Sequence, residues 1–328
     1  MDKKRFVIGI DLGGTNTVFG LISDDNRICA THTLSTQSYD YAWQFVDDAV
    51  RVINDLSVMI GGTDALHAVG IGAPAGNFCK GTVEHAANIK WAKGVVPLCR
   101  LIAEQIDVPV AITNDAKAAA LGEMRYGAAR GMNNFIEITL GTGVGSGIVA
   151  GGQLVYGSDG LAGELGHTII DFSSHGRPCG CGRCGCLDMY CSTRGVLITL
   201  GEVLSAKGGT PSILRDMKPQ DITTLDIYRA AEAGDILAQE TLRITGETLG
   251  KACANFATFL SPEAFVFFGG LAKASHWLLD PARQAYDRYV LHLYRGKAQF
   301  LESALEDGSA AILGAAAVAW NTGSETEG

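Results

Sequence analysis

Twice along this chain an apolar strand runs into a glycine-rich turn and straight out into a second strand. The first instance is Arg5–Ile10, then Asp11-Leu-Gly-Gly-Thr-Asn-Thr-Val, then Phe19-Gly-Leu-Ile. The second is Asn134–Leu140, then Gly141-Thr-Gly-Val-Gly-Ser-Gly, then Ile148-Val-Ala. Two β-rich runs joined by such a turn make a hairpin. After the first hairpin, strands predicted over 66–72 and 108–112 alternate with helical spacing over 38–60, 98–106 and 116–124. Phe45, Val46, Ala49, Val50, Ile53 and Leu56 carry the apolar stripe of the first helix. After the second hairpin come helices over 193–205, 225–233 and 236–259, a strand over 264–268 and an alanine-rich helix over 310–320. The pattern is α/β. No linker-like run separates the halves, so two domains in contact, with an inter-domain cleft, are expected.

Composition narrows the function. The chain has 328 residues, 47% of them hydrophobic and 19% charged, enough to fill two cores and incompatible with disorder. Lysine plus arginine number 26 against 35 acids, a net charge of −9, so no nucleic-acid partner is expected. The apolar run Phe6–Ile10 stops at Asp11, and Ala310–Trp320 is too short to span a bilayer and contains Gly314. A cytoplasmic protein with no membrane partner is expected. Glycine is abundant, 42 residues against 8 prolines, which points to tight turns and ligand loops.

The motifs follow. In Asp11-Leu-Gly-Gly-Thr15-Asn16, Gly13 and Gly14 let backbone N–H groups approach an anion, Thr15 adds a donor, and Asp11 could hold Mg²⁺ through water. An ordinary hairpin turn explains the same residues. The turn around Gly141, Thr142 and Gly143 is neither a P-loop, since no Gly-Lys-[Ser/Thr] follows, nor a Rossmann fingerprint. Together the two hairpins make a candidate phosphate cradle. Asn114 and Asp115 sit between a strand and a helix, where a carboxylate could take a proton from a hydroxyl or simply cap the helix.

The strongest local signal is Gly163-Glu-Leu-Gly-His167 followed by Cys179-Gly-Cys-Gly-Arg-Cys-Gly-Cys186. Of the nine cysteines, five (Cys179, Cys181, Cys184, Cys186 and Cys191) fall within a short stretch. One His and several Cys at this spacing suit a closed, structural Zn²⁺ site with His167, Cys179, Cys181 and Cys186 as ligands and Cys184 spare. Free thiols in a glycine loop are the bland alternative. Trp43, Trp277 and Trp320 read as core, and Lys80, Lys90 and Lys93 as solvated.

Taken in order, Asp11-Leu-Gly-Gly-Thr, Gly70-Ile-Gly-Ala-Pro, Asn114-Asp115 with Ala118-Ala-Ala-Leu-Gly-Glu123, Leu140-Gly-Thr-Gly-Val-Gly, Glu164-Leu-Gly-His167, the Cys179–Cys186 cluster and Phe268-Gly-Gly270 resemble one family. It is the ROK sugar kinases of the actin-like ATPase (hexokinase, ribonuclease H-like) superfamily, and the glucokinase branch in particular. The resemblance covers almost the whole chain. It implies a small α/β domain over 1–115, with a helix over about 310–322 packing back on it, and a large α/β domain over 116–309 carrying a zinc loop over 167–188. It implies a glycolytic activity: ATP phosphorylates a hexose, first of all glucose, at the C6 hydroxyl. Asp115 would be the base. Asn114, Glu164, His167 and Asp188 would hold the sugar. Asp11, Gly13, Gly14, Thr15, Asn16, Gly141, Thr142, Gly143, Gly269 and Gly270 would hold ATP and Mg²⁺. A homodimer or homotetramer is implied.

Three positions depart from the family pattern. Asp188 stands where Glu is usual, a side chain shorter by about 1.5 Å, so fructose, mannose or an N-acetyl hexosamine compete with glucose as substrate. Lys117 stands where Asn is frequent, either as a solvated helix residue or as a charge beside Asp115. Ala86-Ala87-Asn88 lacks a proline, with Asn88 a lesser sugar-side candidate. Two other classes compete: a ROK repressor, which would carry a helix-turn-helix before Asp11, and a non-catalytic sugar-binding zinc protein.

Overall fold

The computed structural model describes residues 5–306 and 308–322; the basic start over 1–4 lies outside the described residues. In chain order the elements are β1 (Phe6–Leu12), β2 (Asn16–Ser23), β3 (Ile28–Ser35), α1 (Ala42–Val58), β4 (Leu66–Ala73), β5 (Gly76–Asn77), β6 (Thr82–Glu84), β7 (Val95–Val96), α2 (Leu98–Ala103), β8 (Val110–Asn114) and α3 (Asp115–Tyr126). There follow β9 (Phe135–Leu140), β10 (Val144–Ala150), β11 (Gln153–Leu154), α4 (Asp188–Cys191), α5 (Thr193–Ala206), α6 (Thr224–Glu232), α7 (Ile236–Leu260), β12 (Ala264–Phe268), α8 (Ser275–Tyr289), β13 (Gln299–Glu302) and α9 (Ala310–Asn321).

Among the described residues two compact units result, one within 1–131, 154–163 and 304–328, the other within 132–153 and 164–303. The first unit therefore runs past residue 115 to include α3, and it takes in 154–163. The reason is packing. Gly122 on α3 faces Gly314 on α9 so closely that an added Cβ would lie 3.1 Å from the Gly314 Cα.

Each unit is built on a five-stranded sheet of the same kind. The first has the order β3-β2-β1-β4-β8 and the second β11-β10-β9-β12-β13. In each, the hairpin is antiparallel and the later strands join in parallel, β1 to β4 to β8 and β9 to β12 to β13. A parallel pair needs a crossover, and the helices supply it.

The abundant glycine turns out to serve packing as well as turns. Gly20, Gly9 and Gly70 pair in a row across β2, β1 and β4. A Cβ at Gly9 would sit 2.5 Å from the Ile312 carbonyl oxygen, and one at Gly70 2.1 Å from that of Ala315. With no side chains in this row, α9 lies directly against the sheet. On the other face of that sheet Ile8, Ile10, Phe19, Phe45, Ile53 and Ile71 form the core with α1. The second unit packs α5, α6, α7 and α8 around Ile136, Ile138, Leu242, Leu249, Phe265 and Phe267.

Candidate active site

In the first unit the functional residues collect where the parallel strands end. Asp11 on β1 is the partner of Gly72 on β4, and Ala73, one residue on, is the partner of Asn114 on β8. The turn Gly13–Asn16 leaves the same edge, closed by a 3.0 Å hydrogen bond from the Gly13 N–H to the Asn16 carbonyl. Loops at the carboxyl ends of parallel strands are where α/β sheets bind ligands. Gly14 is pressed against Asn88, whose Cβ would lie 2.8 Å from a Cβ added there.

Asn114, not Asp115, is the cap of α3; its Oδ1 accepts from the Ala116 N–H at 3.0 Å. Asp115 is the first helical residue and is exposed, with its own Oδ1 2.9 Å from the same N–H. Its carboxylate therefore faces solvent at the sheet edge. Asp11 feels it: burial first, and then the charge of Asp115, push the Asp11 carboxyl up to about 6. Two acids in such a relation are the kind of oxygen donors a hard divalent cation takes up.

Lys117 is not solvated. It is 3% exposed, and its Nζ donates to the Gly160 carbonyl at 2.9 Å. The segment 154–163 is held at two further points, by Asn77 Nδ2 donating to the Asp159 carbonyl at 3.0 Å and by Phe78 stacked on Tyr156 with centroids 4.0 Å apart.

In the second unit the turn Gly141–Gly143 sits at the end of β9, its ends tied by a 3.0 Å bond from the Gly141 N–H to the Gly143 carbonyl. Phe268 on β12 is the partner of Thr139 on β9, so Gly269 and Gly270 leave the sheet at the same edge. Gly269 has φ +100° and crowds the Leu140 carbonyl, where a Cβ would approach to 2.5 Å; only glycine suits both demands. Glu164 is exposed and opens a short 3₁₀ turn over Leu165–His167, whose His167 N–H donates to the Glu164 carbonyl at 3.0 Å. The Oδ1 of Asp188, at the start of α4, accepts from the Val144 N–H at 2.7 Å.

The metal-ligand set comes together as a cage. The ligand atoms of His167, Cys179, Cys181 and Cys186 all lie within 4.8 Å of one another. His167 Nδ1 is 3.7 Å from Cys179 Sγ, and Cys181 Sγ is 3.6 Å from Cys186 Sγ. A tetrahedron of Zn–S bonds near 2.3 Å has edges of about 3.8 Å, so the four residues fit zinc. The hairpin that carries them is closed by the Cys179 N–H donating to the Arg183 carbonyl at 2.8 Å and by a bridge between Ile169 and Cys186. Hydrogen bonds from Arg183 bring the Cys181 thiol down to about 6, toward the thiolate a metal requires. With Nδ1 turned to the thiols, Nε2 of His167 is the nitrogen left to a further partner.

Arg177 was not visible as a functional residue, and it anchors this hairpin. Its guanidinium donates to the carbonyls of Met189 at 2.8 Å and Gly195 at 3.1 Å and to Thr199 Oγ1 at 3.0 Å, pairs with Glu202, and lies 4.4 Å from the centroid of the Tyr190 ring. No local pattern announces it, because every partner is at least twelve residues away. A groove of about 780 Å³ along α7 and α8, lined by Arg243, His276, Trp277 and Tyr289 among others, includes none of the expected site residues.

The ROK family model matches residues 7–322. The chain belongs to the ROK family. Among ROK proteins it is 33% identical over 314 residues to the glucokinase of Halalkalibacterium halodurans, covering 95% of this chain and 94% of that one. It is 30% identical over 310 residues to an N-acetylmannosamine kinase of Escherichia coli, covering 91% and 97%. Among solved structures, a ROK glucokinase from Streptomyces griseus in complex with glucose and AMPPNP is 33% identical, with a TM-score of 0.72 over 95% of this chain and 98% of that one. The α/β architecture is thus the ROK version of the actin-like ATPase fold. No helix among the described residues is long and apolar enough to cross a membrane.

Proposed function

We propose that this ROK protein is an ATP-dependent hexose kinase that phosphorylates glucose at its C6 hydroxyl. The observation that carries the reading is the acid pair at the edge of the first sheet: an exposed Asp115 beside a half-buried Asp11 whose carboxyl is raised to about 6. The likeness to glucokinases over nearly the full length supports it.

In this reading Asp115 accepts the proton of the C6 hydroxyl as that oxygen attacks the γ-phosphorus, and ADP leaves with the electrons of the broken P–O bond. Asn114 steadies the start of α3 through its cap and orients a neighbouring sugar hydroxyl. Glu164 and Nε2 of His167 take further hydroxyls. The N–H groups of the turns Gly13–Asn16 and Gly141–Gly143, with Gly269 and Gly270, receive phosphate oxygens. Asp11 would hold Mg²⁺, which would neutralise phosphate charge, and His167, Cys179, Cys181 and Cys186 would hold zinc, which would keep the imidazole in place. Such a reaction needs mainly positioning and charge neutralisation.

A second reading keeps the mechanism and moves the substrate to mannose, fructose or an N-acetyl hexosamine. Asp188 in place of Glu favours it, as does the likeness to an N-acetylmannosamine kinase. An ADP-release assay with Mg-ATP over glucose, mannose, fructose, N-acetylglucosamine and N-acetylmannosamine separates the two. Turnover confined to glucose supports the first; turnover on another sugar alone replaces it with the second; none on any sugar removes both.

A further inference from the structure

Asp188 does something in this structure that a residue serving only a sugar would not. Its Oδ1 accepts the Val144 N–H at 2.7 Å, a bond between residues 44 positions apart. Val144 is the first residue after the turn Gly141–Gly143. The turn is pressed onto that carboxylate: a Cβ at Gly143 would lie 3.1 Å from the same Oδ1. The other side of Val144 is held too. Gly166 packs so tightly on the Val144 carbonyl that a Cβ there would come within 2.0 Å of the oxygen. At the far end of the turn, the Thr193 N–H at the start of α5 donates to the Gly141 carbonyl at 2.8 Å.

The glycine turn is thus gripped at both ends by the segment that follows the cysteine hairpin. Asp188 is two residues past Cys186, and the Leu187 N–H between them donates to the Thr168 carbonyl at 2.9 Å, which ties this grip to the His167 strand of the hairpin. A turn of three residues, two of them glycine, has many conformations open to it. A hydrogen bond from the Val144 N–H to an Oδ1 acceptor at its exit selects one.

We propose that Asp188 is a positioning residue for nucleotide: it holds the Gly141–Gly143 turn in the shape that receives phosphate, and so links the cysteine hairpin to nucleotide affinity. The inference rests on the kinase reading for the presence of nucleotide at this turn. It separates the side chain's role from sugar recognition, because the effect exists with no sugar bound.

The test is calorimetric titration of Mg-AMPPNP into the sugar-free protein, with hydrogen exchange followed in peptides covering 141–146. Asp188→Ala is expected to weaken nucleotide about 10-fold and to speed exchange at Val144. Asp188→Asn keeps an Oδ1 acceptor and is expected to stay within about 3-fold of wild type. Zinc content and far-UV circular dichroism report whether each variant keeps its fold; Asp188→Asn carries the comparison if Asp188→Ala fails to fold, and slow Val144 exchange in it is then the expected result. Equal nucleotide affinity in wild type and Asp188→Ala, or fast Val144 exchange in Asp188→Asn, overturns the proposal while leaving the kinase reading intact. A wild-type protein that binds no nucleotide overturns the kinase reading and this inference with it.

Discussion

The ammonium of Lys117, buried on α3 two residues past Asp115, donates to the Gly160 carbonyl at 2.9 Å. Through it the segment 154–163 is stitched to the first unit, beside the Asn77 and Tyr156 contacts. Lys117→Met keeps the length and removes the donor, leaving a buried carbonyl short of a partner. A loss of about 1–3 kcal/mol in urea unfolding is expected. No change in the midpoint would mean that the bond to Gly160 contributes nothing to stability.

The raised carboxyl of Asp11 gives a pH signature. Unfolded, the group titrates at 3.8; folded, burial and Asp115 put it at about 6. Protonation therefore favours the folded chain. The contribution is full below pH 4 and is lost as pH rises through 6, in total about 3 kcal/mol at ~1.36 kcal/mol per unit. Ligand-free Asp11→Asn should melt higher than wild type at pH 7 and lose that advantage by pH 4. Parallel melting curves for the two proteins at pH 4 and 7 would refute this.

Replacing the proposed base tests its role directly. Asp115→Asn is expected to lower kcat about 10²–10⁴-fold while glucose binding, read by calorimetry, changes little. The fold should be unaffected, because Asn114 supplies the cap of α3. Unchanged turnover would remove Asp115 from the chemistry.

The cage geometry makes a claim about which thiols matter. Cys184 is exposed and lies outside the four-residue set. Cys184→Ser is expected to retain about one zinc per chain, and Cys179→Ser or Cys186→Ser to lose it. Elemental analysis after gel filtration decides. Since structural zinc and local folding are linked, the two metal-losing variants should also be cut faster by protease within 167–188. A Cys184→Ser protein without metal would require a different ligand set.

The frame of the fold was open to reading because its elements are strongly periodic. β12 falls at 264–268 as predicted, α7 differs by one residue at its end, and α9 by one. What escaped has physical causes. β3 carries Thr31, His32 and Thr33 and buries almost nothing, so no alternation marks it. α8 contains Pro281 and several charges, which mask its apolar stripe of Leu278, Leu279, Ala282, Ala285 and Tyr286. Trp43, expected in the core, is 60% exposed and stacks on Tyr41, because it lies on the outer side of α1. The cysteine cage was legible since its ligands are close in sequence. Lys117 was not, because its partner lies 43 residues downstream.

The glycine row Gly20, Gly9, Gly70 sets an order of events in the life of the chain. Those three residues leave a bare backbone strip on the first sheet that α9 covers, through Ile312, Ala315, Ala316 and Ala319. On the ribosome the strands of that sheet emerge long before α9 does, and the entire second unit is made in between. Synthesis normally lets an amino-terminal unit fold first; here the packing of α9 on the glycine row can form only after residues 310–321 have been made.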